Sequence, residues 1–176
     1  MKKVVLLAIG LIAAVTFTNA QTFKKANKFV EGTVSYSKTT DVDAVYTINP
    51  TLGYFLTDRF AVGASGQFGK DGDTKTNNVG VFGRCYFLTI KNALQTFSQL
   101  SVASNSTSVA GVKATSTAVN LGLGANYFVT SKLALSMNVT DLISYEKADG
   151  VSTTTIGFDG VKNPFATANF GVLYKF

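Results

Sequence analysis

The sequence has no histidine, no tryptophan and a single cysteine among its 176 residues, and only 15% of them are charged. Each scarcity excludes something. Without histidine there is no Ser-His-Asp hydrolysis, no histidine-based phospholipase or protease chemistry and no imidazole metal site. Cys85 cannot form an intramolecular disulfide, and without a histidine base it is a poor nucleophile. Without tryptophan, any belt of interfacial aromatics must be built from tyrosine and phenylalanine. An average soluble domain is about 25% charged. This chain, at 46% hydrophobic, has apolar surface to place and few charges to surround it.

Long apolar runs are lacking too, with one exception. Lys2 and Lys3 precede an apolar stretch from Val4 to Val15, and Thr18-Asn19-Ala20 follows with small residues at the first and third positions. The stretch is shorter than the about 20 residues a membrane helix needs, and the pattern is that of a secretory signal peptide cleaved after Ala20. Residues 1–20 are thus expected to be a signal peptide and 21–176 a single domain. Removing Lys2 and Lys3 lowers the net charge from +6 to +4. That excess is too small to support a nucleic-acid partner, and Lys24, Lys25 and Lys28 read as a solvated tail.

What the chain does have is alternation. Val30, Gly32, Val34 and Tyr36 alternate with Glu31, Thr33, Ser35 and Ser37. Ala44, Tyr46, Ile48, Leu52, Tyr54 and Leu56 are set against Thr47, Asn49, Thr51 and Gly53. Phe60, Val62, Ala64 and Phe68 begin a third run, and Val79, Val81, Cys85 and Phe87 mark a fourth. A fifth, over 94–104, is less clean. Val119 to Tyr127, Leu133 to Val139 and Phe170 to Phe176 complete the set. Period-two patterning indicates strands with two unlike faces. Eight runs of this length suit tilted membrane strands of about 9–11 residues better than globular strands of about 5–6.

The links alternate as well. Thr57-Asp58-Arg59, residues 89–93 and Thr130-Ser131-Lys132 are short, whereas 38–43, 70–77, 105–116 and 144–163 read as longer polar loops. Short turns at one end and long loops at the other are the habit of outer-membrane barrels, with both termini on the periplasmic side. The polar face of the strands is mostly Ser, Thr, Asn, Gln and Gly, with Glu31, Arg84 and Lys175 its chief charges. It suits a narrow interior better than a wet exterior, which would carry many more charges. The expected fold is all-β: a closed antiparallel up-and-down transmembrane barrel of about eight strands. Repeated inward glycines would make room for larger neighbours, and Pro50 would need a bulge or an irregular rim position.

Some stretches resemble the outer-membrane protein β-barrel family, often called porin-family. They are the segment from Pro50 to Gly63 (Gly-Tyr-Phe, a tight Asp-containing turn, then apolar-Ala-x-Gly), the strand Val81 to Phe87, and Gly122 to Phe128. Cys85 departs from the family's usual aromatic. The C-terminal strand, with Phe170, Val172, Tyr174 and Phe176 on one face and Phe176 last, resembles that family's assembly signal. The resemblance implies recognition by the barrel-assembly machinery through strand pairing. It also implies residence in the outer membrane of a Gram-negative-type bacterium, in contact with its lipid.

Glu31 and Arg84 are expected to pair in the lumen, joined by Tyr86 or Lys175, because a buried charge needs a partner. Asp71-Gly72-Asp73 lacks the later ligands of a calcium loop and reads as a turn. No cofactor, metal, catalytic site or enzyme activity is expected. The expected function is a monomeric structural or surface-interaction barrel with a side-chain-filled lumen, the loops 105–116 and 144–163 facing an unnamed extracellular partner. The alternative is a narrow porin-like channel for small solutes.

Overall fold

Alternating residues pair into a meander of antiparallel strands in the computed structural model, which describes residues 22–37, 45–91, 93–148, 150–157 and 169–176. The proposed signal segment and the link 38–43 lie outside the described residues. The strands are β1 (Lys28–Ser37), β2 (Val45–Phe55), β3 (Phe60–Asp71), β4 (Thr74–Ile90), β5 (Leu94–Val109), β6 (Val112–Phe128), β7 (Leu133–Ala148), β8 (Val151–Ile156) and β9 (Asn169–Lys175). Each pairs with the next from β1 to β7, and β9 closes the ring by pairing with both β7 and β1. The eighth place around the barrel is shared: β8 continues the β7 hairpin at one end, and β9 seals the seam at the other. The all-β closed barrel of eight strands is the fold the alternation predicts, with the last strand in two pieces.

The outward face is apolar. Leu52, Val79 and Val81 are each 61–62% exposed, and Val34 is 73% exposed. Such a surface is disfavoured in water and suits hydrocarbon. Among the described residues no helix is long and apolar enough to cross a membrane.

Two of the short turns share one chemistry. The Thr57 hydroxyl accepts from the amides of Arg59 and Phe60, and the Thr130 hydroxyl accepts from those of Lys132 and Leu133. The opposite end departs from expectation. Residues 70–77 and 105–116 are not loops, and 144–163 is a loop at most in part. β3 and β4 run on to a two-residue turn at Gly72-Asp73, and β5 and β6 to one at Ala110-Gly111, where φ is positive at both residues (48° and 89°). That is the turn whose twist matches a hairpin. β7 and β8 carry the third such hairpin past residue 144. The Ser, Thr and Val of these stretches, read as loop residues, pair across the ladder; Thr and Val are β-branched and favour strands. β4, β5 and β6 reach 16–17 residues, so about six residues of each stand beyond the span a membrane requires. The weak fifth run becomes one of the longest strands.

Pro50 has no bulge. It pairs with Gly32 in an unshifted β1–β2 register, and the β2–β3 ladder keeps its register while skipping the pairs at residues 49 and 50. A proline without an N–H fits there because it is asked for no ladder bond on that side. The irregularities fall elsewhere, between Tyr86 and Leu88 in β4 and at two points of the β6–β7 ladder. The first turns Phe87 and Leu88 both outward.

Candidate functional site: the barrel lumen

The lumen has two unlike halves. At the end with the short turns it is packed with aromatic rings. Phe29, Phe55, Phe82, Tyr86, Phe97 and Phe128 all point inward and are buried, with Ala61, Ala134 and Leu173 between them. Phe23, from the segment before β1, inserts among them. Its ring lies 4.2 Å from that of Phe55, 5.0 Å from Phe128 and 5.1 Å from Tyr86. The segment is tied down by Ala26 N donating to Phe55 O and by Lys25 N donating to Asp58 Oδ1, at 2.9 and 2.7 Å. Alternation had marked this face as polar. The rings sit in the same phase as the Ser and Asn residues, so the face is mixed along its length.

Glycines make the rings fit. Phe29 stands directly across from Gly53, Phe82 from Gly63 and Phe97 from Gly124. A Cβ at any of the three glycines would collide with the ring opposite. A bare backbone on one strand thus accepts the aromatic of the next. These same three rings surround the guanidinium of Arg84, whose Cζ is 4.0 Å from the Phe97 centroid and 5.3 Å from those of Phe29 and Phe82. Cation–π contacts gain strength when desolvated, to about 2 kcal/mol.

The structure brings Glu31 and Arg84 together. Arg84 Nη1 donates to Glu31 Oε2 at 2.8 Å, and both side chains are almost wholly buried. The remaining polar atoms are largely provided for. Ser136 Oγ donates to Glu31 Oε1 at 2.7 Å, Arg84 Nε to Gln99 Oε1 at 2.9 Å, and Arg84 Nη1 to the Tyr86 hydroxyl at 3.3 Å. That hydroxyl also accepts from Asn126 Nδ2 at 2.8 Å. The network joins β1, β4, β5, β6 and β7 across the lumen. Lys175 Nζ instead donates to Thr22 O at 3.3 Å and lies over the Phe23 and Phe128 rings, so it anchors the inserted segment.

Beyond this plug the lumen is hollow and polar. Two adjoining cavities of about 330 and 430 Å³ share Gln99, Ser101 and Asn169 in their walls; the nearer reaches Glu31 and Arg84. Asn49 and Asn78 line the farther one, each with an amide oxygen that is buried and unpaired. Ordered water commonly occupies such positions. No cluster of His, Cys, Asp and Glu suited to a metal occurs among the described residues. Phe170, Val172 and Tyr174 alternate outward on β9, with Phe176 exposed after them. Cys85 is exposed on the outward face, opposite Phe60.

No family model and no curated protein matches the chain. Solved structures do. The N-terminal β-barrel domain of Pseudomonas aeruginosa OprF aligns with 87% of this chain and 98% of its own, at 16% identity and a TM-score of 0.56. The outer membrane protein OprG of the same organism aligns with 89% of this chain and 98% of its own, at 16% identity and a TM-score of 0.51. At such identity the likeness is one of fold. The chain is a small β-barrel of the outer-membrane type.

Proposed function

We propose that the protein resides in the outer membrane of a Gram-negative-type bacterium as a closed structural barrel that meets its surroundings through its protruding hairpins. The observation that carries this reading is the plug: seven aromatic rings and a buried, hydrogen-bonded Glu31–Arg84 pair fill one end of the lumen. Eight strands leave an interior narrow enough for side chains to close at that end. The hairpins β5–β6 and β7–β8 take the place of loops 105–116 and part of 144–163 as the contact surface, and β3–β4 adds a third. Rigid paired strands present side chains at lower entropic cost than loops do. The Phe170–Phe176 face fits an assembly signal read by strand pairing, and the barrel acts as a monomer in contact with outer-membrane lipid. No enzyme activity is assigned to it.

The polar chamber favours one alternative, a narrow channel for small solutes, in which the plug would have to part. Conductance in planar bilayers separates the two. Purified barrel should give no steady openings. Sustained openings of porin size would reject the closed-lumen reading.

A further inference from the structure

Among the described residues, the exposed cations are less offset by acids at the short-turn end than at the hairpin end. Lys24 and Lys25 precede β1 and Lys28 opens it. Arg59, Lys91 and Lys132 lie one in each of the three short turns, and all six are exposed. Against them stands Asp58, which accepts from the Lys25 amide. None of the six side chains has an ion-pair partner among the described residues. At the hairpin end, the described cations Lys70, Lys75, Lys113 and Lys147 are offset by Asp71, Asp73 and Glu146.

Their depth is informative. Tyr54, Phe60, Phe87, Tyr174 and Phe176 are exposed on the outward face beside the short turns, and Lys28 pairs directly with Tyr54. Aromatics of this kind mark the boundary between hydrocarbon and headgroups. Cations one to a few residues further out therefore lie at the level of the lipid phosphates, and long basic side chains reach that layer readily. The six come from four separate pieces of chain around the perimeter. Lys24 and Arg59 line one cavity together with Asp58, and the other four lie outside it, so separate headgroups, not one large polyanion, fit the arrangement.

We propose that the short-turn rim is a cationic collar that recruits anionic phospholipids, by their phosphate groups, in the leaflet on that side. The proposal rests on the barrel's residence in a bilayer. Each cation near an anionic surface strengthens association by roughly five-fold, and salt screens the effect.

The test uses the full chain folded in zwitterionic detergent, with folding checked first by the heat-dependent shift in gel mobility. The barrel is then offered an equimolar mixture of phosphatidylglycerol and phosphatidylcholine, and retained lipids are counted by native mass spectrometry. The parent should retain the anionic lipid in roughly three-fold excess or more, falling as salt rises. The variant R59Q/K91Q/K132Q should lose most of that excess, whereas K70Q/K75Q/K113Q at the opposite rim should keep it. Equal uptake of the two lipids by the folded parent, or an undiminished excess in the turn variant, would overturn the proposal. So would tight binding of soluble acidic glycan fragments without any lipid preference. Failure of the parent to fold at all would count instead against the membrane reading.

Discussion

Phe97 on β5 stands directly opposite Gly124 on β6, and its ring fills the space a side chain at Gly124 would need. The same ring is the nearest aromatic to the Arg84 guanidinium. One glycine therefore governs both the packing of the plug and the seat of its charge. Gly124→Val should destabilise the barrel by about 1–3 kcal/mol, the usual cost of overpacking. Gly32→Ala is the reference, because a Cβ there meets nothing within 4 Å, and should stay within about 0.5 kcal/mol of the parent. Urea titration of barrels folded in lipid vesicles measures both. Coincident midpoints would contradict the packing argument.

The Glu31–Arg84 pair should respond asymmetrically to substitution. Glu31→Gln or Arg84→Met leaves one buried charge without its counter-ion and should cost about 3–5 kcal/mol. The double variant should lose less than the sum, because neither charge remains to be stranded. Additive losses in a double-mutant cycle would mean the two groups act independently despite their 2.8 Å separation.

Cys85 offers a direct test of which face meets lipid. It is exposed and lies among outward apolar residues. In vesicles the thiol should resist a water-soluble maleimide, react with a lipid-soluble one, and react with both after unfolding in urea. Rapid reaction of the folded barrel with the water-soluble reagent would place that face in water.

The Phe176 side chain is 65% exposed at the end of the seam strand and packs edge-on against Tyr174. Phe176→Ala should leave folding in vesicles close to that of the parent, since an exposed ring contributes little to packing. It should lower the assembled fraction in cells several-fold if the terminal aromatic is read during assembly. An equal defect in both settings would assign Phe176 a stabilising role only.

Reading the sequence recovered the strands, the outward apolar face and the Thr57 and Thr130 turns, because each depends on neighbours within a few residues. It misjudged the far end. Residues 105–116 are polar and read as a loop, yet they are strand-paired around the local turn at Ala110-Gly111. It also left the phenylalanines of the polar phase unexplained. Phe82 sits two residues from Arg84 and Phe29 two from Glu31, a spacing that puts each on the inward face beside the charge. That parity was the available clue.

The sequence by itself determined that the chain forms long alternating strands and places an apolar surface outward, because period-two patterning and side-chain chemistry are local properties. Only the tertiary structure decided what fills the lumen. Ser136 and Glu31 meet across a separation of 105 residues, and Arg84 and Glu31 across 53. Phe23 reaches the plug from outside any strand. Such contacts depend on register and on closure of the ring, where each inward side chain faces whatever the opposite wall presents.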